Sequence, residues 1–162
     1  MNHYSKVYAA LTAAIVLLSV FLSADARTIY VPGDYEWIRM AIAASVDGDT
    51  VLIADGIYTG EGNRSISFQG KAIVVKSENG PDSCIIDLER TDRAFSFFSQ
   101  EDTNSVLEGV QIIHGFAHHE NGAGIYCYNS SPKIINCIIR DNYSQDQGGG
   151  LHFKMSRAII RN

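Results

Sequence analysis

Basic residues are few and scattered in this 162-residue sequence. Its 13 lysines and arginines are outnumbered by 18 aspartates and glutamates, which gives a formal net charge of −5. A protein that follows a phosphate backbone needs clustered positive charge, and the sequence contains no such cluster. The composition therefore argues against a nucleic-acid partner and against a polybasic patch for a membrane surface.

Cysteine is also scarce, with Cys84, Cys127 and Cys137 as its three occurrences. An odd and sparse set is unlike the paired framework of a disulfide scaffold. Cysteine is among the most frequently buried residue types and packs as a small hydrophobe. We therefore expect no disulfide and an inward-facing Cys137, with Cys127 and Cys137 as the one pair close enough in sequence to question.

No apolar run is long enough for a typical membrane-spanning helix. Residues 9–22 are uncharged and mostly apolar, but this stretch of 14 residues falls short of the roughly 20 needed. It follows Lys6 and precedes the small-x-small sequence of residues 24–26, which is the layout of a secretory signal peptide. We predict a signal peptide over residues 1–26, cleavage before Arg27, and an exported or cell-surface mature chain without a spanning segment. The alternative is an uncleaved anchor or a buried helix.

One short amphipathic helix is predicted near the start of the mature chain. Its apolar stripe consists of Ile38, Ala41, Ile42 and Ser45. Asp34 is the expected N-cap, Glu36 the expected first-turn anion, and Gly48 the expected C-terminal stop.

After Gly48 the sequence changes to short runs rich in β-branched residues, separated by Gly, Asn, Asp and Ser. No helical pattern lies between these runs, so they do not form βαβ units. A meander or sandwich stays open at this point. The runs cover residues 50–53, 72–76, 84–88, 94–98, 106–113 and 133–139.

A repeat in the last third favours a solenoid. Residues 121–126 (NGAGIY) are echoed by residues 147–152 (QGGGLH) at an offset of 26. The same periodicity places Leu107, Ile134 and Ile160 in one series. Parallel stacking of such coils, about 4.8 Å apart, would put equivalent side chains in ladders. Two further ladders are predicted, Val110 with Cys137 and Ile112 with Ile139.

These segments resemble two groups of known proteins. Residues 28–35, 41–44, 48–51 and 56–58 are similar to the N-terminal segment of the right-handed parallel β-helix, or pectin-lyase-like, superfamily. Residues 132–142 and 147–151 resemble repeats of bacterial surface β-helices, including polymorphic outer-membrane proteins.

The resemblance implies an all-β fold, a right-handed parallel β-helix with a short N-terminal capping helix. The domain would cover residues 27–162, with the cap at about 28–48 and coils from about 49 onward. Residues 158–162 match the middle of a coil, so we expect a C-terminally truncated solenoid with further coils beyond it.

Two groups of polar residues suggest chemistry without matching a motif. His114, His118, His119 and Glu120 have no recognised metal-ligand spacing, so a solvated loop is favoured over a metal site. No cofactor is predicted. The charged residues between Asp87 and Arg93 are crowded as in a polysaccharide lyase, but no family motif maps onto them, and a solvated turn is favoured.

The predicted stacking supplies a binding hypothesis. It places Asp141 one coil above His114, with Arg140 above Ile113, and this edge patch of His114, Arg140 and Asp141 is the predicted binding site. Three tyrosines are candidate stacking faces for sugar rings, although tyrosine is also common in ordinary strands: Tyr126, Tyr128 and Tyr143. The resemblance to β-helix proteins, more than these residues, leads us to expect a secreted or cell-surface module that binds polysaccharide or another cell-surface component, or has a structural role there. The alternative is the N-terminal part of a polysaccharide lyase or glycoside hydrolase.

Overall fold

A computed structural model describes residues 25–162 of the chain, which contain one α-helix, one 3-10 helix and sixteen short strands. The helix α1 spans Ile38–Ala44, and the 3-10 turn spans Glu61–Asn63. In chain order, the strands are β1 (Thr28–Val31), β2 (Thr50–Ile53), β3 (Gly56–Tyr58), β4 (Ile66–Ser67), β5 (Val74–Ser77), β6 (Cys84–Asp87), β7 (Phe95–Phe97), β8 (Val106–Glu108), β9 (Gln111–Ile113), β10 (Phe116–Ala117), β11 (Ile125–Tyr128), β12 (Lys133–Ile135), β13 (Ile138–Ile139), β14 (Tyr143–Ser144), β15 (Leu151–Lys154) and β16 (Ile159–Arg161).

The strands form a parallel β-solenoid of about four turns. Sheet A has the order β1-β2-β5-β8-β12-β16, sheet B β3-β6-β9-β13, sheet C β4-β7-β11-β15, and sheet D β10-β14. Every strand pairs in parallel with its equivalent one coil away. This arrangement excludes the meander and the sandwich and confirms the predicted solenoid.

Two of the three predicted ladders are confirmed by paired strand residues. In sheet A, Ile134 pairs with Leu107 on one side and with Ile160 on the other. In sheet B, Ile112 pairs with Ile139. Runs predicted as single strands, residues 106–113 and 133–139, are each divided in two. The corners are at Gly109 and Asn136, whose φ angles of 68° and 47° turn the chain from sheet A into sheet B.

The interior is filled by side chains from three sheets, because alternate residues of each strand point inward. Sheet C contributes an aromatic cluster in which Phe68 meets Phe95 and Phe97 edge to face, at centroid distances of 6.2 and 4.8 Å. All three rings are fully buried. Aromatic packing therefore fills the core on the side of sheet C.

Helix α1 covers the first coil with the predicted stripe, since Ile38, Ala41 and Ile42 are buried. Its caps differ from the expectation. Asp34 lies too far ahead of the helix to cap it and instead accepts a hydrogen bond from Tyr30 N at 2.8 Å. The first helical N–H, that of Ile38, donates to Asn63 Oδ1 at 3.0 Å. The N-terminus of the helix is therefore capped by a distant side chain.

The C-terminus of α1 is also stabilised from a distance. Glu36 precedes the helix rather than lying in its first turn, and the helix ends at Ala44, well before Gly48. Lys71 Nζ donates to the carbonyls of Ile42 and Ala43 at 2.7 and 3.0 Å. A cation at this end also interacts favourably with the helix dipole.

A buried carboxylate joins three successive coils. Glu101 is only 2% exposed and accepts hydrogen bonds from Gly70 N, Ser99 N and Ser130 Oγ at 3.1, 2.8 and 2.8 Å. Gly70 lies one coil before Glu101, and Ser130 lies one coil after it. The three donors compensate for removing the carboxylate from water.

The three cysteines are buried and unpaired, as predicted. Cys137 is 8% exposed and belongs to the core, while Ile138 is partly exposed on the outer side of sheet B. Along sheet B, Val110 separates Cys84 from Cys137, and two coil spacings of about 4.8 Å exceed the Cα separation of about 7 Å that a disulfide tolerates.

The predicted signal peptide falls almost entirely on residues 1–24, which lie outside the described part of the chain; Asp25 and Ala26 are described and exposed. Among residues 25–162, no helix has the length and apolar character needed to cross a bilayer.

Two neighbouring phenylalanines provide a matched test of the core. Phe97 is fully buried, whereas Phe98 is 55% exposed. We expect Phe97→Ala to lower the free energy of unfolding by about 3–5 kcal/mol because it leaves a cavity, and Phe98→Ala to change it by about 0.5 kcal/mol or less. Urea unfolding of both variants measures the difference. Equal losses would show that the inward register of sheet C is wrong.

Thiol reactivity tests the state of the cysteines. Burial raises the pKa of Cys84 to about 12 and that of Cys137 to about 11, and it also raises the pKa of Cys127. Because the thiolate is the reactive form, a thiol reagent at pH 8 should label the native protein slowly. In urea without reductant, three thiols per chain should react at once. A count below three that reductant restores would reveal a disulfide.

Candidate functional site

Sheet C carries a column of exposed aromatic and polar side chains on its outer side. Ile125 and Cys127 of β11 point inward, so Tyr126 and Tyr128 point outward. Their partners in β15 are His152 and Lys154. We call these four residues the aromatic face: Tyr126, Tyr128, His152 and Lys154.

The rings of the aromatic face are arranged by the register of the coils. Tyr126 and His152 stack, with centroids 5.7 Å apart and planes inclined by 16°. Lys154 Nζ lies 6.0 Å from the centroid of the Tyr128 ring. Cross-strand neighbours are held at about this distance by parallel pairing, so the strand register aligns the rings along the solenoid axis.

Arg93 extends this column toward the preceding coil. Its Cζ lies 5.0 Å from the centroid of the Tyr126 ring, within the range of a cation–π contact. The guanidinium also forms an ion pair with Glu120, whose side chain is largely exposed. Arg93 Nε is buried and has no hydrogen-bond partner within residues 25–162.

Two adjoining clefts lie beside the aromatic face, and we call them together the corner groove. The smaller cleft, of about 360 Å³, is lined by Arg93, His119, Glu120, Asn121 and Tyr126. The larger cleft, of about 780 Å³, shares Asn121 and includes His152 and Lys154 together with a polar loop. The loop residues are Gln145, Asp146 and Gln147.

The strand register also positions the loop of residues 145–147 that lines the groove. Asn121 Oδ1 accepts a hydrogen bond from Gln147 N at 2.9 Å, which joins equivalent corners of two coils. Gly122 and Gly148 follow these residues with φ angles of 69° and 66°, and a Cβ at either position would approach a backbone oxygen within 2.6 Å. Both corners therefore require glycine.

Chemically, the corner groove offers ring faces, amide groups and a few charges. Aromatic rings pack against apolar C–H surfaces, and amide side chains donate and accept hydrogen bonds together. This combination suits a neutral or weakly charged polyhydroxylated ligand in an open site. The groove is concave and mostly polar, and its smaller cleft has a size common for ligand sites.

The predicted edge patch is located elsewhere, at the corner between sheets B and D. His114 and Asp141 occupy equivalent corner positions in consecutive coils, each with a φ of 56°. Arg140 pairs with Asp141 and donates from Nε to Gln111 Oε1 at 3.1 Å. His114 Nδ1 is 3.0 Å from Asp87 Oδ1 in the preceding coil. The register therefore places His114 and Asp141 in neighbouring coils, but no hydrogen bond or ion pair described for residues 25–162 joins His114 to Arg140 or Asp141.

The charged residues between Asp87 and Arg93 hold the coil corners together. Asp92 accepts a hydrogen bond from Ser65, Glu89 lies near Arg64, and Arg93 pairs with Glu120. Burial alone would raise the pKa of Asp87, but hydrogen bonds from Glu89 N–H and His114 outweigh it and lower that pKa. A general acid needs the opposite shift.

The histidine-rich loop does not form a recognisable metal centre. The rings of His118 and His119 lie 4.7 Å apart, and His118 packs edge-on against Phe116. Within residues 25–162, no group of three or more His, Cys, Asp or Glu side chains converges on a position for a metal ion. Glu120, the fourth member of the sequence cluster, is paired with Arg93.

The sequence identified only part of the corner groove. Tyr128 and Tyr143 are exposed, as expected, whereas Tyr126 is half-buried; Tyr143 lies on sheet D against Phe116 with centroids 5.6 Å apart. The 26-residue offset between residues 121–126 and 147–152 predicted the pairing of Tyr126 with His152. Nothing in the local sequence indicated that Arg93 would lie over Tyr126.

Comparison with protein-family models, with curated proteins and with solved structures found no match to this chain. The function of the protein is therefore inferred from the geometry of the groove and not from a relative.

The Asp87–His114 pair predicts a pH-dependent contribution to stability. The pKa of Asp87 is lower in the folded chain than in the unfolded chain, where it is about 3.9. The carboxylate therefore contributes to the free energy of unfolding above the unfolded-state pKa, and this contribution is lost as pH falls through the folded-state pKa. We expect Asp87→Asn to lower the free energy of unfolding at pH 7 by about 1 kcal/mol or less, since the pair is partly exposed. Urea unfolding should show a larger loss at pH 7 than at pH 3. The same loss at both values would mean that packing, not charge, stabilises this corner.

Proposed function

We propose that this protein is an exported β-solenoid that binds polysaccharide in the corner groove and along the aromatic face. The observation that carries the proposal is the stacked pair of Tyr126 and His152 beside two polar clefts. The site is open to solvent along the outer side of sheet C, so a chain of sugar residues can lie across it without entering the core.

The chemistry of a sugar ring suits this surface. A pyranose has an apolar C–H face that packs on an aromatic ring, and hydroxyl groups around its edge that need hydrogen-bond partners. Asn121, Gln145 and Gln147 supply amide groups at the groove. Arg93 Nε is a buried donor without a partner among residues 25–162, and a ligand oxygen in the smaller cleft, with a small adjustment of Arg93, would satisfy it.

We also propose that the chain belongs to the pectin-lyase-like superfamily and acts outside the cell or at its surface. The parallel solenoid with a helix over its first coil supports the first point, and the signal-peptide pattern of residues 1–26 supports the second. Binding is favoured over lyase or hydrolase chemistry because Asp87, Asp92 and Arg93 are engaged in structural contacts.

The proposal is tested by affinity electrophoresis in native gels that contain a soluble β-glucan, a galactomannan, alginate or polygalacturonate. We expect retardation in at least one gel. Tyr126→Ala should weaken that retardation about tenfold or more, which corresponds to about 1.4 kcal/mol. Tyr143→Ala is the matched control, because Tyr143 is 60% exposed but lies on sheet D. Migration unchanged in all four gels would contradict binding to these classes of polysaccharide.

Two further measurements separate the alternatives. If His114→Ala and Asp141→Asn weaken retardation while Tyr126→Ala does not, the binding site is the edge patch and not the corner groove. The retained polysaccharide is also assayed for new reducing ends after incubation with the protein. We expect none, and their release would favour the lyase or hydrolase alternative.

A further inference from the structure

Like Glu101, Asp49 is a buried carboxylate, but it lies near the start of the described residues and takes no part in the corner groove. Asp49 is 1% exposed and lies between the end of α1 and the start of β2. Its Oδ2 accepts hydrogen bonds from Val46 N at 2.9 Å and Arg27 Nε at 3.3 Å. Its Oδ1 accepts a hydrogen bond from the backbone nitrogen of Arg27 at 3.0 Å.

The position of that backbone nitrogen is informative because Arg27 is the first residue of the predicted mature chain. Hydrolysis of the peptide bond between Ala26 and Arg27 consumes one water molecule, leaves a carboxylate on Ala26 and leaves an ammonium group on Arg27. The nitrogen that bonds Asp49 as a neutral amide then carries a full positive charge. The amide–carboxylate hydrogen bond, in which only the acceptor is charged, then becomes a bond between two opposite charges, which adds direct Coulomb attraction.

We propose that Asp49 is the receptor for the new amino terminus, so that signal-peptide cleavage replaces an amide–carboxylate hydrogen bond with a partly buried ion pair. The proposal goes beyond polysaccharide binding and depends only on cleavage before Arg27. The ion pair would attach the first strand of sheet A to the loop that follows α1. Removal of the leader then stabilises the cap of the solenoid.

The charges around Asp49 are consistent with this role. The Arg27 guanidinium contacts Oδ2, which leaves Oδ1 for the ammonium group. Lys71 is turned toward the carbonyls at the end of α1, and Asp47 accepts a hydrogen bond from Ala72 N at 2.9 Å. Burial raises the pKa of Asp49, but the hydrogen bonds from Arg27 and Val46 and the Arg27 charge outweigh it, so the pKa lies below its ordinary value. The carboxylate is therefore ionised at neutral pH.

The test uses the full chain expressed with its leader and purified from the exported fraction. Its first residue is identified by N-terminal sequencing, which should give Arg27. The rate of acylation of the α-amine is then measured against pH. An ordinary α-amine has a pKa of about 7.7–8.0, and pairing with Asp49 should raise it to about 9 or higher. At pH 7 this makes acylation about tenfold slower than that of an unpaired α-amine.

Two variants identify Asp49 as the cause. Asp49→Asn should restore the ordinary pKa and accelerate acylation at pH 7 about tenfold. Asp47→Asn removes a carboxylate from the same loop and should leave the rate unchanged, because Asp47 is exposed and bonds Ala72. The pH profile of the unaltered protein does not depend on either variant folding. A first residue other than Arg27, or an α-amine pKa near 8 in the unaltered protein, would overturn the proposal.

Discussion

Parallel pairing of each strand with its equivalent one coil away is the constraint on which the rest of the structure depends. The strands are only two to four residues long, and none has a helix or antiparallel neighbour to complete its hydrogen bonds. Each coil therefore needs the next one to pair its backbone groups. Once this pairing is fixed, every side chain is placed directly over its equivalent, and both the interior ladders and the exterior columns follow.

The same register builds the core and the candidate site from alternate residues of one strand. In β11, Ile125 and Cys127 are buried, while Tyr126 and Tyr128 face outward. A shift of one residue would bury the tyrosines and expose the core, which is why the two surfaces cannot change independently. The polar corners are positioned in turn by backbone bonds between coils, such as that from Gln147 to Asn121.

The sequence predicted the fold best where the coils are most regular. Equivalent strands of sheet A begin 22, 24, 32, 27 and 26 residues apart from β1 to β16. A repeat search detects the last two spacings and misses the first three, because corner loops of changing length hide the periodicity while the strands stay in register. The helix stripe was predicted, but its caps were not, since Asn63 and Lys71 reach it from 25 and 29 residues away. The groove was partly predictable through Tyr126 and its counterpart His152, whereas Arg93 belongs to an earlier coil.

The stacking of consecutive coils also determines the order in which the chain can acquire structure. A strand of sheet A needs only the preceding coil as its template. The first coil is covered by α1, whose residues come before β2 in the chain. Nearly all long-range pairing thus connects segments about one coil apart, so little loop-closure entropy is lost at each step. Such a chain is suited to vectorial folding, in which each coil is completed while the residues that follow are still emerging from a ribosome or a translocation channel.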